Sequence, residues 1–213
     1  MKRVLTAASA LFSLAFGSAA HAGEFSAYLN GVERHDDLFV RVGLGLGSGG
    51  GETSGGVDLT GLGVTGHVAV GYQLDDNFGL MGEAFFVSIA SPDADNVFGS
   101  PVVGAANSAT LVGVGPGITC YFGRSNVYYA QSLGIVFGDY RTSTLMAPIG
   151  ALTSKSTGGP GLGARSAIGW DFWVGDESSL GIALAMSLGS LPLDGDDSVL
   201  LLSAGVSLSY LWD

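Results

Sequence analysis

Between residues 180 and 189 the chain reads Leu-Gly-Ile-Ala-Leu-Ala-Met-Ser-Leu-Gly, with every large apolar side chain at an even position and only Gly, Ala or Ser between. A period of two is a strand signal. Seven further stretches follow the same rule. The first runs from Leu38 to about Leu46, with Leu38, Val40, Val42, Leu44 and Leu46 on one face and Arg41, Gly43 and Gly45 on the other. The second sets Leu62, Val64, Val68, Val70, Tyr72 and Leu74 against Gly63, Thr65, His67, Ala69, Gly71 and Gln73. In the third, Phe78 to about Val87, the pattern puts Leu80, Ala84 and Phe86 opposite Met81, Glu83 and Phe85. The others span about 112–122, 127–137, 162–172 and 200–212, with Gln131 a polar exception on the apolar face of the fifth.

An ordinary soluble strand alternates apolar with charged residues, whereas here the second face is small and weakly polar. That combination predicts a narrow barrel with lipid outside and a crowded lumen. Connections alternate long and short. The short turns are Asp75-Asp76-Asn77, Gly123 to Asn126 and Gly175 to Ser178; the long loops are Gly47 to Asp58, Ser88 to Ser108, Gly138 to Pro160 and Ser190 to Ser198. The expected fold is therefore all-β: an eight-stranded antiparallel up-and-down transmembrane β-barrel over residues 38–213, with both termini periplasmic. A soluble barrel with the apolar face inward would leave only Arg41, His67, Glu83, Arg165 and Asp171 as ionisable groups on its wet surface, too few for solubility.

The composition agrees. Mean hydropathy is +0.42 and only 13% of residues are charged, yet after the first residues there is no apolar run of the ~18 residues that a spanning helix needs. Residues 1–22 read as an export signal, with Lys2 and Arg3, an apolar run from Val4 to Phe16, and Ala20-His21-Ala22 before Gly23. Residues 23–37 form a polar periplasmic lead-in. Removing Lys2 and Arg3 from 8 basic residues leaves 6 against 19 acidic, a charge of −13, which excludes nucleic acid as a partner. Cys120 is the single cysteine and makes no internal disulfide.

Aromatic residues gather at the short-turn ends: Tyr72, Phe78, Tyr121, Phe122, Tyr128, Tyr129, Trp170, Phe172, Trp173, Tyr210 and Trp212. They predict an interfacial girdle. Phe86 and Phe137 are the candidates at the opposite rim.

Inside the barrel, Arg41, His67, Glu83, Arg165 and Asp171 are the ionisable residues, and a lumen network of salt bridges and hydrogen bonds is their expected role. His67 and Glu83 flank one turn at nearly matched distance, so contact between them is expected. Two G-x-G-x-x-G matches, at Gly45 to Gly50 and Gly61 to Gly66, precede no helix and bind no dinucleotide. Asp93-Ala94-Asp95-Asn96 and Asp194-Gly195-Asp196-Asp197 are oxygen-rich but lack the rest of an EF-hand loop, so neither metal nor other cofactor is expected. Pro116, between Gly115 and Gly117, predicts a bulge or kink, since Pro has no ladder N–H to give.

The chain ends Gly205-Val206-Ser207-Leu208-Ser209-Tyr210-Leu211-Trp212-Asp213. In this ending and in its architecture it resembles the small eight-stranded outer-membrane barrels of Gram-negative bacteria, the group that includes the OmpA transmembrane domain, OmpX and OmpW. The resemblance implies that Leu208, Tyr210 and Trp212 form the signal read by the barrel insertion machinery, although that family stops on the aromatic and this chain adds Asp213. It also implies residence among outer-membrane lipid and lipopolysaccharide. The implied role is a non-enzymatic, porin-like surface scaffold with long extracellular loops and an unidentified extracellular partner. The alternative is an OmpW-like conduit for small hydrophobic molecules, with a lateral opening near Pro116. A lipid-modifying enzyme similar to the barrel-borne deacylases would use His67 as base and Glu83 to orient it, but needs a serine beside His67, where the chain has Thr65 and Ala69.

Overall fold

The computed structural model describes residues 38–53, 58–94, 108–122, 125–146, 150–175, 177–192 and 198–212. The export signal and lead-in expected over residues 1–37 lie outside them, as do the side chains of both oxygen-rich loop runs. Eight antiparallel strands follow one another: β1 (Leu38–Thr53), β2 (Asp58–Asp75), β3 (Phe78–Ala94), β4 (Ser108–Tyr121), β5 (Val127–Met146), β6 (Gly150–Gly175), β7 (Ser178–Pro192) and β8 (Ser198–Trp212). Each pairs with the next, and β8 pairs with β1, closing the ring. The first residues of β1 and the last of β8 meet at the short-turn end, where Val40 faces Trp212.

The register fixes the shape. Hydrogen-bonded neighbours lead from Val42 through Val68, Ala84, Val114, Ile135, Leu162, Ser190 and Leu200 back to β1 at Glu52, ten residues beyond the start. Eight strands with a stagger of that size tilt by roughly 35–45° and enclose an interior only wide enough for side chains.

The facing follows the period-two pattern on every strand. Leu62, Leu162, Leu46 and Leu208 stand outward at 79%, 76%, 71% and 67% exposure, and outward Val, Ile and Leu residues continue around the ring. Arg41, His67, Glu83, Arg165 and Asp171 are all buried inside. With the apolar side chains outside and the ionisable ones within, the wall is that of a membrane-crossing barrel, and the soluble alternative is excluded.

Strands are longer than the side-chain pattern predicts. β1 continues through Thr53, β3 through Ala94, β5 through Met146, and β6 begins at Gly150, so most of the expected loops at 47–58 and 138–160, and residues 88–94 of the one at 88–108, are ladder. Backbone pairing does not depend on the alternation of large and small side chains, so the ladder continues where that alternation stops.

Pro116 also departs from expectation. Pairing on both sides keeps one register, Val114 with Ile135 and Gly117 with Ser132, so there is no bulge; the ladder lapses only at the two intervening rungs. A proline in that register has no N–H to give Leu133, and that single absence accounts for the gap. Gln131, the outward polar exception, is satisfied within the wall. Its Oε1 accepts from Tyr129 Oη at 2.7 Å and Ser166 Oγ at 2.6 Å, and its Nε2 donates to Ser132 O at 3.2 Å.

The lumen is filled by matching large inward side chains to glycines on adjacent strands or across the ring. A Cβ on Gly43 would strike the His67 ring, on Gly113 the Phe85 ring, on Gly189 Leu111, and on Gly163 Val136. At the long-loop end this packing forms an apolar plug of Phe85, Val87, Ile89, Leu111, Val136, Leu191, Val199 and Leu201 with Ala109.

Two predictions follow from this packing. Leu184→Arg is expected to cost roughly 2–4 kcal/mol as a lipid-facing charge, and the neighbouring inward Ala185→Ser almost nothing, measured by denaturant unfolding in lipid vesicles. Gly113→Ala is expected to destabilise by about 1–3 kcal/mol through overpacking against Phe85, with most of the loss recovered in a Phe85→Leu background; simple additivity would contradict the contact.

Candidate functional site

The alternation that sends Leu and Val outward turns polar residues of the opposite parity into the lumen below the plug. Two charge-neutral groups result. In the first, Arg41 Nη2 of β1 donates to Asp171 Oδ2 of β6 at 2.6 Å and to the Tyr121 hydroxyl of β4 at 2.7 Å, while that hydroxyl donates to Asp171 Oδ2 at 3.0 Å. The guanidinium also lies 3.7 Å from the centre of the Tyr128 ring of β5, a cation–π contact strengthened by burial. Tyr121 and Tyr128 are tilted against each other at 6.0 Å.

In the second group, Arg165 Nη1 of β6 donates to Glu83 Oε1 of β3 at 2.6 Å, and Ser132 Oγ of β5 donates to Glu83 Oε2. Arg165 Nη2 lies 3.0 Å from His67 Nδ1 of β2. A guanidinium only donates, so Nδ1 accepts and the neutral imidazole carries its proton on Nε2. His67 and Glu83 share Arg165 as a partner: their positions are offset, with His67 opposite Phe85 and Glu83 opposite Ala69.

Burying an ion pair is favourable only when the remaining hydrogen-bonding positions are also met. Here each carboxylate has a second partner, a tyrosine or a serine hydroxyl, drawn from a different strand. Tyr121, Tyr128 and Ser132 were not expected in this layer. Tyr121 and Tyr128 are buried at 6% and 2% exposure, so they do not belong to the lipid-facing girdle; Tyr121 sits on the inward parity of β4, and Val127, not Tyr128, starts the outward parity of β5. Trp173 shares the inward parity of Asp171. The remaining girdle candidates lie on the outward parity: Tyr72, Phe172, Tyr210 and Trp212 are exposed, Phe78, Phe122, Tyr129 and Trp170 half-buried. Trp170 and Phe172 stack at 5.0 Å. Phe137 is exposed and Phe86 half-buried at the other rim, and Leu208 stands outward with Tyr210 and Trp212.

Ser132 donates its hydroxyl hydrogen to Glu83, and the acceptor nitrogen of His67 is taken by Arg165, so these residues form no serine-to-histidine hydrogen bond. The described residues include no cluster of His, Cys, Asp and Glu suited to a metal ion.

No family model and no curated protein sequence matches the chain. Among solved structures, it is similar to Ail, the attachment invasion locus protein of Yersinia pestis, solved with the heparin analogue sucrose octasulfate, at 14% identity over 81% of this chain and 99% of that one, TM-score 0.44. OprG from Pseudomonas aeruginosa is similar at 13% identity over 86% and 99%, TM-score 0.42. The outer-membrane protease OmpT from Escherichia coli is similar at 9% identity over 83% and 96%, TM-score 0.45. All are outer-membrane barrels, and likeness at this level carries no argument about activity.

Removing one charge of a buried pair leaves the other uncompensated. Glu83→Leu is expected to destabilise by about 3–5 kcal/mol, and Glu83→Leu with Arg165→Met by clearly less, in denaturant unfolding from vesicles. A double variant as unstable as the sum of its singles would show that the pair is not coupled.

Proposed function

We propose that this protein is an integral outer-membrane barrel with both termini in the periplasm, without catalytic activity, which serves as a scaffold or interaction protein through the segments at its long-loop end. The filled lumen carries the reading. The apolar plug packed above the ion-pair layer supports a lumen closed to solute, and the engagement of Ser132 with Glu83 and of His67 with Arg165 supports a structural role for these side chains. What remains available for interaction is the rim, where β5 and β6 extend beyond their neighbours: β4 begins opposite Arg141 and β7 ends opposite Leu162, while the β5–β6 ladder continues to Met146 and Gly150. Export by residues 1–22 and insertion through Leu208, Tyr210 and Trp212 belong to the same proposal.

One observation favours a second reading, a conduit for small hydrophobic molecules: the lapsed rung at Pro116 faces lipid, where an unpaired carbonyl is costly. Planar-bilayer recording and uptake of a small apolar dye into vesicles separate the two. The scaffold reading predicts no conductance steps and no uptake above protein-free vesicles. Dye uptake that Pro116→Val abolishes would replace it with the conduit.

A further inference from the structure

Between the two ion-pair groups lies a cavity of about 10 Å³, walled by Arg41, His67, Glu83, Thr119, Tyr128 and Arg165 among others. That is room for about one water molecule. Two polar atoms of this wall have no hydrogen-bond partner: Arg41 Nε and Thr119 Oγ1, on residues only 5% and 3% exposed. Arg41 makes its contacts to Asp171 and Tyr121 through Nη2 alone, so the Nε–H is a buried donor with nothing to receive it. Such groups are rare in folded proteins, because water lost on burial has to be replaced. His67 brings a second donor, since Arg165 occupies Nδ1 and leaves the proton on Nε2.

The occupant must accept two hydrogen bonds and meet the Thr119 hydroxyl, which can accept or donate. A metal cation cannot accept them. A chloride ion could, but it would add an uncompensated charge to a layer in which Arg41 and Arg165 already balance Asp171 and Glu83. Water meets all the requirements. We propose that one buried water molecule is bound here, accepting from Arg41 Nε–H and His67 Nε2–H and donating to Thr119 Oγ1. It joins the two ion pairs into one network that crosses the lumen from β1 to β6.

The test is solid-state NMR of the full-length protein in lipid bilayers, following magnetisation transfer from water to the protein. Transfer is expected at Arg41 Nε–H and at Thr119, and not at Leu111 or Val136 in the plug. In Thr119→Val the Arg41 signal should fall to the level of Leu111, and Thr119→Ser, which keeps the hydroxyl, should restore it. A heat-dependent gel shift reports whether each variant has folded; the wild-type measurement decides the matter even if Thr119→Val does not. No transfer at Arg41 Nε–H in the wild type would overturn the proposal. So would bromide density at the cavity in crystals grown with bromide, which would assign the site to a halide.

Discussion

Everything in this molecule depends on how little room a ring of eight strands leaves inside. Closing the backbone ladder satisfies each strand from both sides, as hydrocarbon demands, and a stagger of ten residues sets the radius. Within that radius an inward side chain meets its neighbours across the ring, so two large ones cannot share a level on adjacent strands. The chain resolves this by seating large residues on neighbouring glycines, His67 on Gly43, Phe85 on Gly113, Val136 on Gly163. Several glycines have no choice at all: at Gly115 and Gly134 a Cβ would meet the carbonyl oxygens of Leu133 and Val114 on the adjoining strand.

The electrostatic layer exists on the same terms. Arg41 and Arg165 reach carboxylates on other strands, and their charges are tolerable where water is nearly excluded because every carboxylate has more than one partner. The plug above and the ion pairs below divide the interior into a dry end and a polar end.

Strand number, order and facing were legible in the alternation, including the inward placement of Glu83 beside the Phe85-Phe86 pair. The plug was not, because in runs such as Val199-Leu200-Leu201-Leu202 both faces are apolar and the period of two disappears. Nor were the partners in the polar layer. His67 and Glu83 are close through one turn, whereas Arg165 lies 98 and 82 residues from them and Asp171 lies 130 from Arg41; nothing local in the sequence signals these contacts, which come from ring closure. Tyr121 and Tyr128 stand near a turn beside the girdle aromatics, and parity along the strand decides their side.

The central claim, that the greasy face of each strand meets hydrocarbon and the small face meets a packed interior, is tested most directly by labelling single cysteines at 181–188 in a Cys120→Ser background and reading fluorescence quenching by brominated lipid in vesicles. The account predicts strong quenching at 182, 184, 186 and 188 and little at 181, 183, 185 and 187. Equal quenching at both sets, or a protein that stays soluble and folded without lipid or detergent, would contradict it.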